Sequence, residues 1–509
     1  MRRKSAVIFL ILIGCVAIMA IDAGELYVRH QRAISASPEA LSGFSGFQLK
    51  GAVEKYGFRG DVTIASAFPD RFGFSIQFPL FQERWALRGR NGEVRDLTGW
   101  RRSLEGAELE EARALQYILG YLYIKTGAVS LQDIKEESDF ISATLRSEDG
   151  LVFEVYFDTN SSLLKRFAFR AADGNRREFL IEAYQDAEGL RLPSRLKETG
   201  LNPANYEFGP AQVNRGIDGD FFTVPETPIR YSMPDRAVVR IPMQLYFDLP
   251  FIKAWIGDSP ALTFLVDTNL PFSVLDKTIA TQLGLTTQGL AFRSVRYPIS
   301  EFSFTSAPNV LLREVEFKDQ LFLVTNMMPP SANIQMPVHG ILGADFFRQS
   351  IFQLDFKEDV IRFLHPKALS PDPKWQKLNL SLAGGVYSVT GRLDGIDVQL
   401  ELTTSVGEAA VFSDASLLAR NLLRRYPSTA EALSLGLLFG QPERIAKVES
   451  LALEALSVQG PLVHLGKFPE DSPFVRKEAG WLGTEFLRRF ILPLDLPTKV
   501  AYLEPNPNR

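Results

Sequence analysis

The chain has 509 residues, 46% hydrophobic and 23% charged, an ordinary globular composition with room for about three domains of roughly 150 residues each. A formal net charge of −4 without any basic block points away from nucleic acid as a partner. One cysteine, Cys15, and four scattered histidines (His30, His339, His365, His464) offer no metal-ligand spacing, and no metal or cofactor is implied.

Arg2, Arg3 and Lys4 precede an unbroken apolar run over residues 6–21, and Asp22 and Glu25 follow it. Residues 1–24 therefore read as a signal or membrane anchor, longer than a typical signal core and slightly shorter than a standard span. Positive charge before the run and acid after it would leave the rest outside the cytoplasm, on the periplasmic side of the inner membrane or secreted. LIGC at 12–15 resembles a bacterial lipobox, which would make Cys15 a lipid-attachment site. The segment after it, VAIMAI, stays apolar where a lipoprotein turns polar, so cleaved signal, lipoprotein and uncleaved anchor all stay open. Exported domains without a disulfide rely on core packing alone.

Residues 25–45 are small and polar-leaning and read as a linker. Over 46–225 the pattern is mostly period-2: FGFSIQFPL (72–80), LVFEVYFD (151–158) and LLKRFAFR (163–170) predict strands. GRNGE (89–93) and AADGN (171–175) predict hairpin turns, and 106–123 carries helical spacing. The expectation is a large curved antiparallel sheet with one helix. FDTNSSLL at 157–164 contains Asp-Thr-Asn, but it lies between two strands, and Asp, Asn and Ser favour turns by capping nearby backbone. YQDAEGLRLPSRLKE (184–198) resembles a phrase of half-open β-barrel envelope proteins of the lipoprotein-carrier (Lol-type) class, over about 150 residues of the chain. That resemblance implies a lipid or lipoprotein as partner of this domain.

Four prolines mark a break at 223–237, and the rest of the chain contains an internal repeat. HGILGADFFRQSIFQLDFKEDVIRFL (339–364) matches AGWLGTEFLRRFILPLDLPTKVAYLE (479–504). Gly340 pairs with Gly480, Leu342 with Leu482, Gly343 with Gly483 and Asp355 with Asp495, each 140 residues apart. Upstream of each copy lies a strand, a short crowded turn and a helical pattern. Two related lobes, 238–366 and 376–509, predict a pseudo-two-fold with a cleft between them. The fold class expected is mainly β: the N-terminal curved sheet, then a bilobal β unit.

Each lobe resembles a retropepsin-type or pepsin-like aspartic peptidase lobe. The residues that carry the likeness are Phe264-Leu265-Val266-Asp267-Thr268-Asn269 and the distal Ile341-Leu342-Gly343-Ala344-Asp345-Phe346. The resemblance implies a flap hairpin between 290 and 325, two facing carboxylates that share a proton and one water, and threonines that lock the two loops by crossing hydrogen bonds. On this pattern Asp267 is the catalytic candidate, and Thr268, Asn269, Thr403, Thr404 and Ser405 line the cleft and lock its loops.

The chain departs from the pattern twice. Asn269 stands where glycine is expected, with a side chain that would crowd the floor, and left-handed backbone, which Asn tolerates, is one way to keep the turn. The partner lobe reads Glu401-Leu402-Thr403-Thr404-Ser405-Val406, so Thr403 occupies the aspartate position. Losing one acid–base partner costs about 10²–10⁴ in rate, and more where the pair acts as a unit. Glu401 shares the strand face but would sit roughly 6–7 Å from the needed place. Asp394 and Asp397 read as a turn, Asp414 as a helix N-cap, Asp355 and Asp495 as strand-end caps, and His339 as a loop residue. The reading is an envelope protein of the aspartyl-protease family whose inter-lobe cleft takes an extended peptide or protein substrate, with hydrolysis weak or lost. Two alternatives stand beside it: an active aspartic endopeptidase using Asp267, and a lipid or lipoprotein carrier or chaperone acting through the N-terminal domain.

Overall fold

The structure, a computed structural model, describes residues 21–126, 129–171, 176–292, 301–327, 335–413, 426, 430–433, 442–454, 456–466 and 479–505. Cys15, Asp414 and the turn expected at 171–175, apart from Ala171, lie outside them. The architecture is mainly β, in three sheets among the described residues. The first has 14 strands and spans residues 46–213. Its first strand, Gly46–Lys55, is central: one meander runs outward from it to Arg101–Ser103, and the other returns from Val129–Glu136 to close on it through Ala204–Phe208. Every neighbour pair is antiparallel, as alternating strands joined by short turns require. Asp158 tips one such turn: its carboxylate accepts from the amides of Asn160 (3.2 Å) and Ser161 (2.7 Å). Lys165 beside it, and then these hydrogen bonds, hold that carboxyl down at about 2.

One face of this sheet is covered by helices. Gly106–Leu119 buries Ala112, Leu115, Ile118 and Leu119, and Leu122–Thr126 buries Tyr123 and Ile124. Residues 25–45 are not a linker. Ala23–Ile34 is a helix whose Leu26, His30 and Ile34 recur every four residues and face the core, and Pro38–Ser42 forms a further turn of helix. His30 is fully buried between the Ser162 carbonyl (2.8 Å) and the Tyr123 hydroxyl (2.9 Å), and burial pushes its pKa down to about 4, so it stays neutral. A polar-looking composition concealed a stripe only three residues long. Among the described residues no helix is long and apolar enough to cross a membrane.

The other two sheets carry the repeat. In each copy a buried strand runs parallel to the strand of the Leu-Gly motif: Leu262–Val266 beside Gly340–Leu342, and Ile396–Leu402 beside Ala479–Leu482. Gly343 and Gly483 are required there, since a Cβ would lie 2.6 Å from the carbonyl oxygens of Leu270 and Phe272 at the first and 2.2 Å from that of Glu408 at the second. Six strands, three per lobe, join the lobes: Val238–Tyr246, Val360–Leu364, Ile351–Asp355, Phe490–Asp495, Val500–Pro505 and Gln376–Asn379. At their centre Ile351 faces Asp495, Asp355 faces Ile491, and Gln353 faces Pro493, its own repeat mate. That register places a pseudo-two-fold axis through the 353–493 pair. Asp355 accepts from the amides of Lys357 and Glu358 and pairs with Arg362 at 2.6 Å, while Asp495 accepts from Thr498; both cap hairpin turns.

The N-terminal sheet and the first lobe are packed together. Leu249, Phe251, Phe272, Phe302 and Phe304 belong to the same apolar cluster as the N-terminal core. Arg348, 2% exposed, donates to Asp96 (3.0 Å) and Thr98 (3.2 Å), and its guanidinium lies 4.4 Å from the centre of the Trp100 ring. Gly384 of the second lobe donates to Glu108 at 3.2 Å.

Candidate functional site

All five residues of Leu262–Val266 are buried, so the strand delivers Asp267 into the junction of the two lobes. The Asp267 amide donates to the Leu342 carbonyl at 2.9 Å, and the Thr403 amide donates to the Leu482 carbonyl at 3.1 Å. Since Leu342 and Leu482 are repeat mates, the two strand tips are equivalent in backbone placement. Their side chains meet: Thr403 Oγ1 donates to Asp267 Oδ1 at 3.0 Å. The local turns match as well. The Asn269 amide donates to Asp267 Oδ1 at 3.0 Å, and the Ser405 amide donates to Thr403 Oγ1 at 3.3 Å, so the hydroxyl takes the place of a carboxylate oxygen. Ser405 Oγ lies 2.9 Å from Thr403 Oγ1.

Thr268 and Thr404 cross between the loops. The Thr268 amide donates to Thr404 Oγ1 (3.2 Å), Thr404 Oγ1 donates to the Val266 carbonyl (2.6 Å), and Thr268 Oγ1 donates to the Leu402 carbonyl (3.3 Å). Each bond joins one lobe to the other and satisfies a buried group that would otherwise be costly.

Asn269 does not use left-handed backbone, so the turn needs no glycine-like conformation. Its side chain fills the floor. Nδ2 donates to Glu401 Oε2 at 3.1 Å, and Oδ1 accepts from the Tyr387 amide at 3.0 Å. Glu401 also accepts from Trp481 Nε1 at 2.9 Å. Glu401 thus reaches the site through Asn269, whose side chain it accepts from while the Asn269 amide donates to Asp267. The missed signal was Trp481, which stands where the first copy has Ile341 and supplies an indole donor. None of Asp267, Thr268, Asn269, Glu401, Thr403, Thr404 or Ser405 exceeds 7% exposure. The remaining carboxylates sit elsewhere. Asp394 lies in a two-residue turn, φ 49°, and accepts from Ser450, and Asp397 pairs with Arg392 on the surface. His339 accepts from the Thr263 amide at 2.7 Å. Asp345, in the distal motif, accepts from the Ser273 amide and hydroxyl, and burial pushes its pKa up to about 6 against the pull of Arg348 and Ser273.

At this pair a hydroxyl, in the place of a second carboxyl, faces Asp267. Threonine cannot exchange a proton near neutral pH, so general acid and general base cannot alternate across this pair.

The N-terminal sheet holds two other features. Glu198 is buried with Lys55 (3.2 Å), Arg177 and the Tyr206 hydroxyl (3.0 Å); burial raises its pKa, but the two cations outweigh that and leave it at about 2. This network ties strands to the helix Gly106–Leu119, since Arg177 also pairs with Glu111. Further along that helix an open cavity of about 440 Å³ lies where it meets the strands Val152–Asp158 and Leu164–Arg170. Ala114, Leu151, Val152 and Phe169 form its apolar part; the charged part mixes arginines with Glu110, Asp149 and Glu154, and Arg113 pairs with Asp149 and Arg176 with Glu154.

No protein-family model and no curated protein matches the chain. Solved structures similar to parts of it include an aspartic proteinase from Irpex lacteus, 11% identical, with 53% of this chain and 98% of that one covered and a TM-score of 0.37. A LolA superfamily protein from Nitrosomonas europaea is 12% identical over 40% of this chain and 98% of its own, with a TM-score of 0.29. A DUF1329 family protein from Desulfovibrio piger is 9% identical over 40% of this chain and 97% of its own, with a TM-score of 0.30. Likenesses this distant leave activity to be argued from the residues themselves.

Proposed function

We propose that this is an extracytoplasmic, non-hydrolysing protein that holds an amphiphile, a lipid or an acylated protein, at its N-terminal sheet, with the two lobes as scaffold. The observation that carries the reading is the cavity of about 440 Å³ beside the helix Gly106–Leu119, whose lining joins apolar side chains to ion-paired arginines. Its size falls within the roughly 300–1,000 Å³ of small-molecule sites. An acyl chain suits the apolar part of the lining, and a polar head suits the part that carries both charge signs. The location rests on the charged and apolar pattern of residues 1–25.

The peptide-cleft reading has less support. The floor residues are packed against one another, and the Asp267–Thr403 pair lacks a second exchangeable acid. The test has two arms on the full chain. Binding of a fluorescent fatty acid is expected to be saturable and at least about tenfold weaker in Val152→Trp, which fills the cavity from a position that is 43% exposed. Absence of saturable binding overturns the carrier reading. In the second arm, unfolded protein is incubated with the chain from pH 3 to 7, with Asp267→Ala alongside. Cleavage lost in that variant would overturn the non-hydrolysing part.

A further inference from the structure

The strand Gln288–Phe292 is the last in the order of the second sheet and forms a hairpin arm with Glu301–Leu312. Such an edge normally presents unpaired main-chain groups to any extended chain that passes. Here its outer side is occupied by the N-terminal sheet. The Leu290 amide donates to the Tyr56 carbonyl at 2.7 Å. Two residues on, Phe292 is bound twice by one side chain: its amide donates to Asn202 Oδ1 at 2.8 Å, and Asn202 Nδ2 donates to its carbonyl at 2.5 Å. The Asn202 amide group thus makes the pair of bonds that a residue of a neighbouring strand would make.

The packing around these bonds is specific. Gly289 has φ 72°, and a Cβ there would lie 2.4 Å from the Phe58 ring and 2.7 Å from the Tyr56 carbonyl oxygen. Opposite, Phe304 of the second arm inserts among Tyr56, Phe58 and Phe81, with ring centres 5.9, 5.5 and 5.1 Å away. Both arms of the hairpin are therefore held by the same part of the N-terminal sheet, one by main-chain bonds and one by aromatic contact.

We propose that the N-terminal sheet is an intramolecular clamp on this hairpin, with Asn202 as a stand-in for a pairing strand that closes the edge to extended peptide. The clamp does not depend on what the N-terminal cavity binds. It is tested by hydrogen–deuterium exchange of the full chain with Asn202→Ala and Asn202→Asp. Removing both side-chain bonds should speed exchange within 288–292 by about tenfold or more. Asn202→Asp keeps the acceptor for the Phe292 amide and loses the donor, so it should fall between wild type and Asn202→Ala. Leu262–Val266 should exchange as in wild type in both variants. Unchanged exchange in 288–292 overturns the clamp. So does an equal rise throughout the lobe, which would make Asn202 a general stabiliser.

Discussion

The two copies of the repeat place Asp267 and Thr403 at equivalent strand tips, with matching amide bonds to Leu342 and Leu482 and matching turns behind them. Their chemistry has separated: one tip offers a carboxylate, the other a hydroxyl that donates to it. The backbone arrangement needs only an oxygen that accepts the amide two residues on, and either group supplies that. Holding the lobes together is thus separable from proton exchange, and the second can lapse while the first persists. A buried carboxyl group is costly unless hydrogen bonds satisfy it, and Thr403 and Asn269 donate to Asp267 here.

The strongest way to break the comparison is to make the tips alike. Thr403→Asp would set two carboxyls about one hydrogen bond apart in a site that is 0% exposed at both positions. They cannot both ionise, so one pKa rises above its unfolded value. A group with a raised folded pKa stabilises the fold below its unfolded pKa and loses that contribution as pH rises. The variant should therefore be less stable than wild type by about 3–5 kcal/mol at pH 7, with most of the loss regained by pH 4, where the new carboxyl keeps its proton and donates to Asp267. Urea unfolding at both pH values measures it. An equal loss at both would mean that the tips clash sterically rather than electrostatically.

A second contrast between the copies concerns Asp345 and its repeat mate Glu485. Both are half-buried, but Glu485 lies 3.9 Å from Arg489, whereas Asp345 accepts from Ser273 and loss of hydration raises its pKa to about 6, above its ordinary 3.8. Between those values the folded state binds more protons than the unfolded chain, so stability falls as pH rises from about 4 to 6. The effect of this one group is on the order of 3 kcal/mol. Asp345→Asn should abolish that part of the slope. The stability difference between wild type and variant, followed from pH 4 to 7, is the measurement, and a difference independent of pH would refute it.

Much of this was legible in the chain itself. The repeat, the Asp-Thr-Asn tip, the threonine in the partner position and the alternating strands are local patterns, and period and spacing reveal them. The turn at 157–164 could be told from the tip at 267 because polar residues follow the first and apolar ones the second. What stayed hidden depends on residues far apart in sequence. Glu401 enters the site through Asn269, 132 residues away, and through Trp481, 80 away. Arg348 reaches Asp96 across 252 residues, and Asn202 reaches Phe292 across 90. Nothing periodic marks such contacts. The helix Ala23–Ile34 was missed for another reason: its buried stripe of Leu26, His30 and Ile34 includes a histidine, which composition counts as polar.

The finest comparison lies between the two locking threonines, which sequence alone makes interchangeable. Thr404 Oγ1 has two roles, donating to Val266 at 2.6 Å and accepting from the Thr268 amide at 3.2 Å. The matching Thr268 Oγ1 makes the single bond to Leu402, at 3.3 Å. Valine is nearly the same size as threonine, so each substitution tests the hydroxyl with little change in packing. Thr404→Val strands a buried carbonyl and a buried amide, and should cost about 2–3 kcal/mol. Thr268→Val strands one carbonyl at the end of a long bond and should cost about 1 kcal/mol. If the lock were symmetric, the two unfolding midpoints would shift equally; the geometry expects Thr404 to carry more than half, so that the lobe without the aspartate contributes the larger part of the lock.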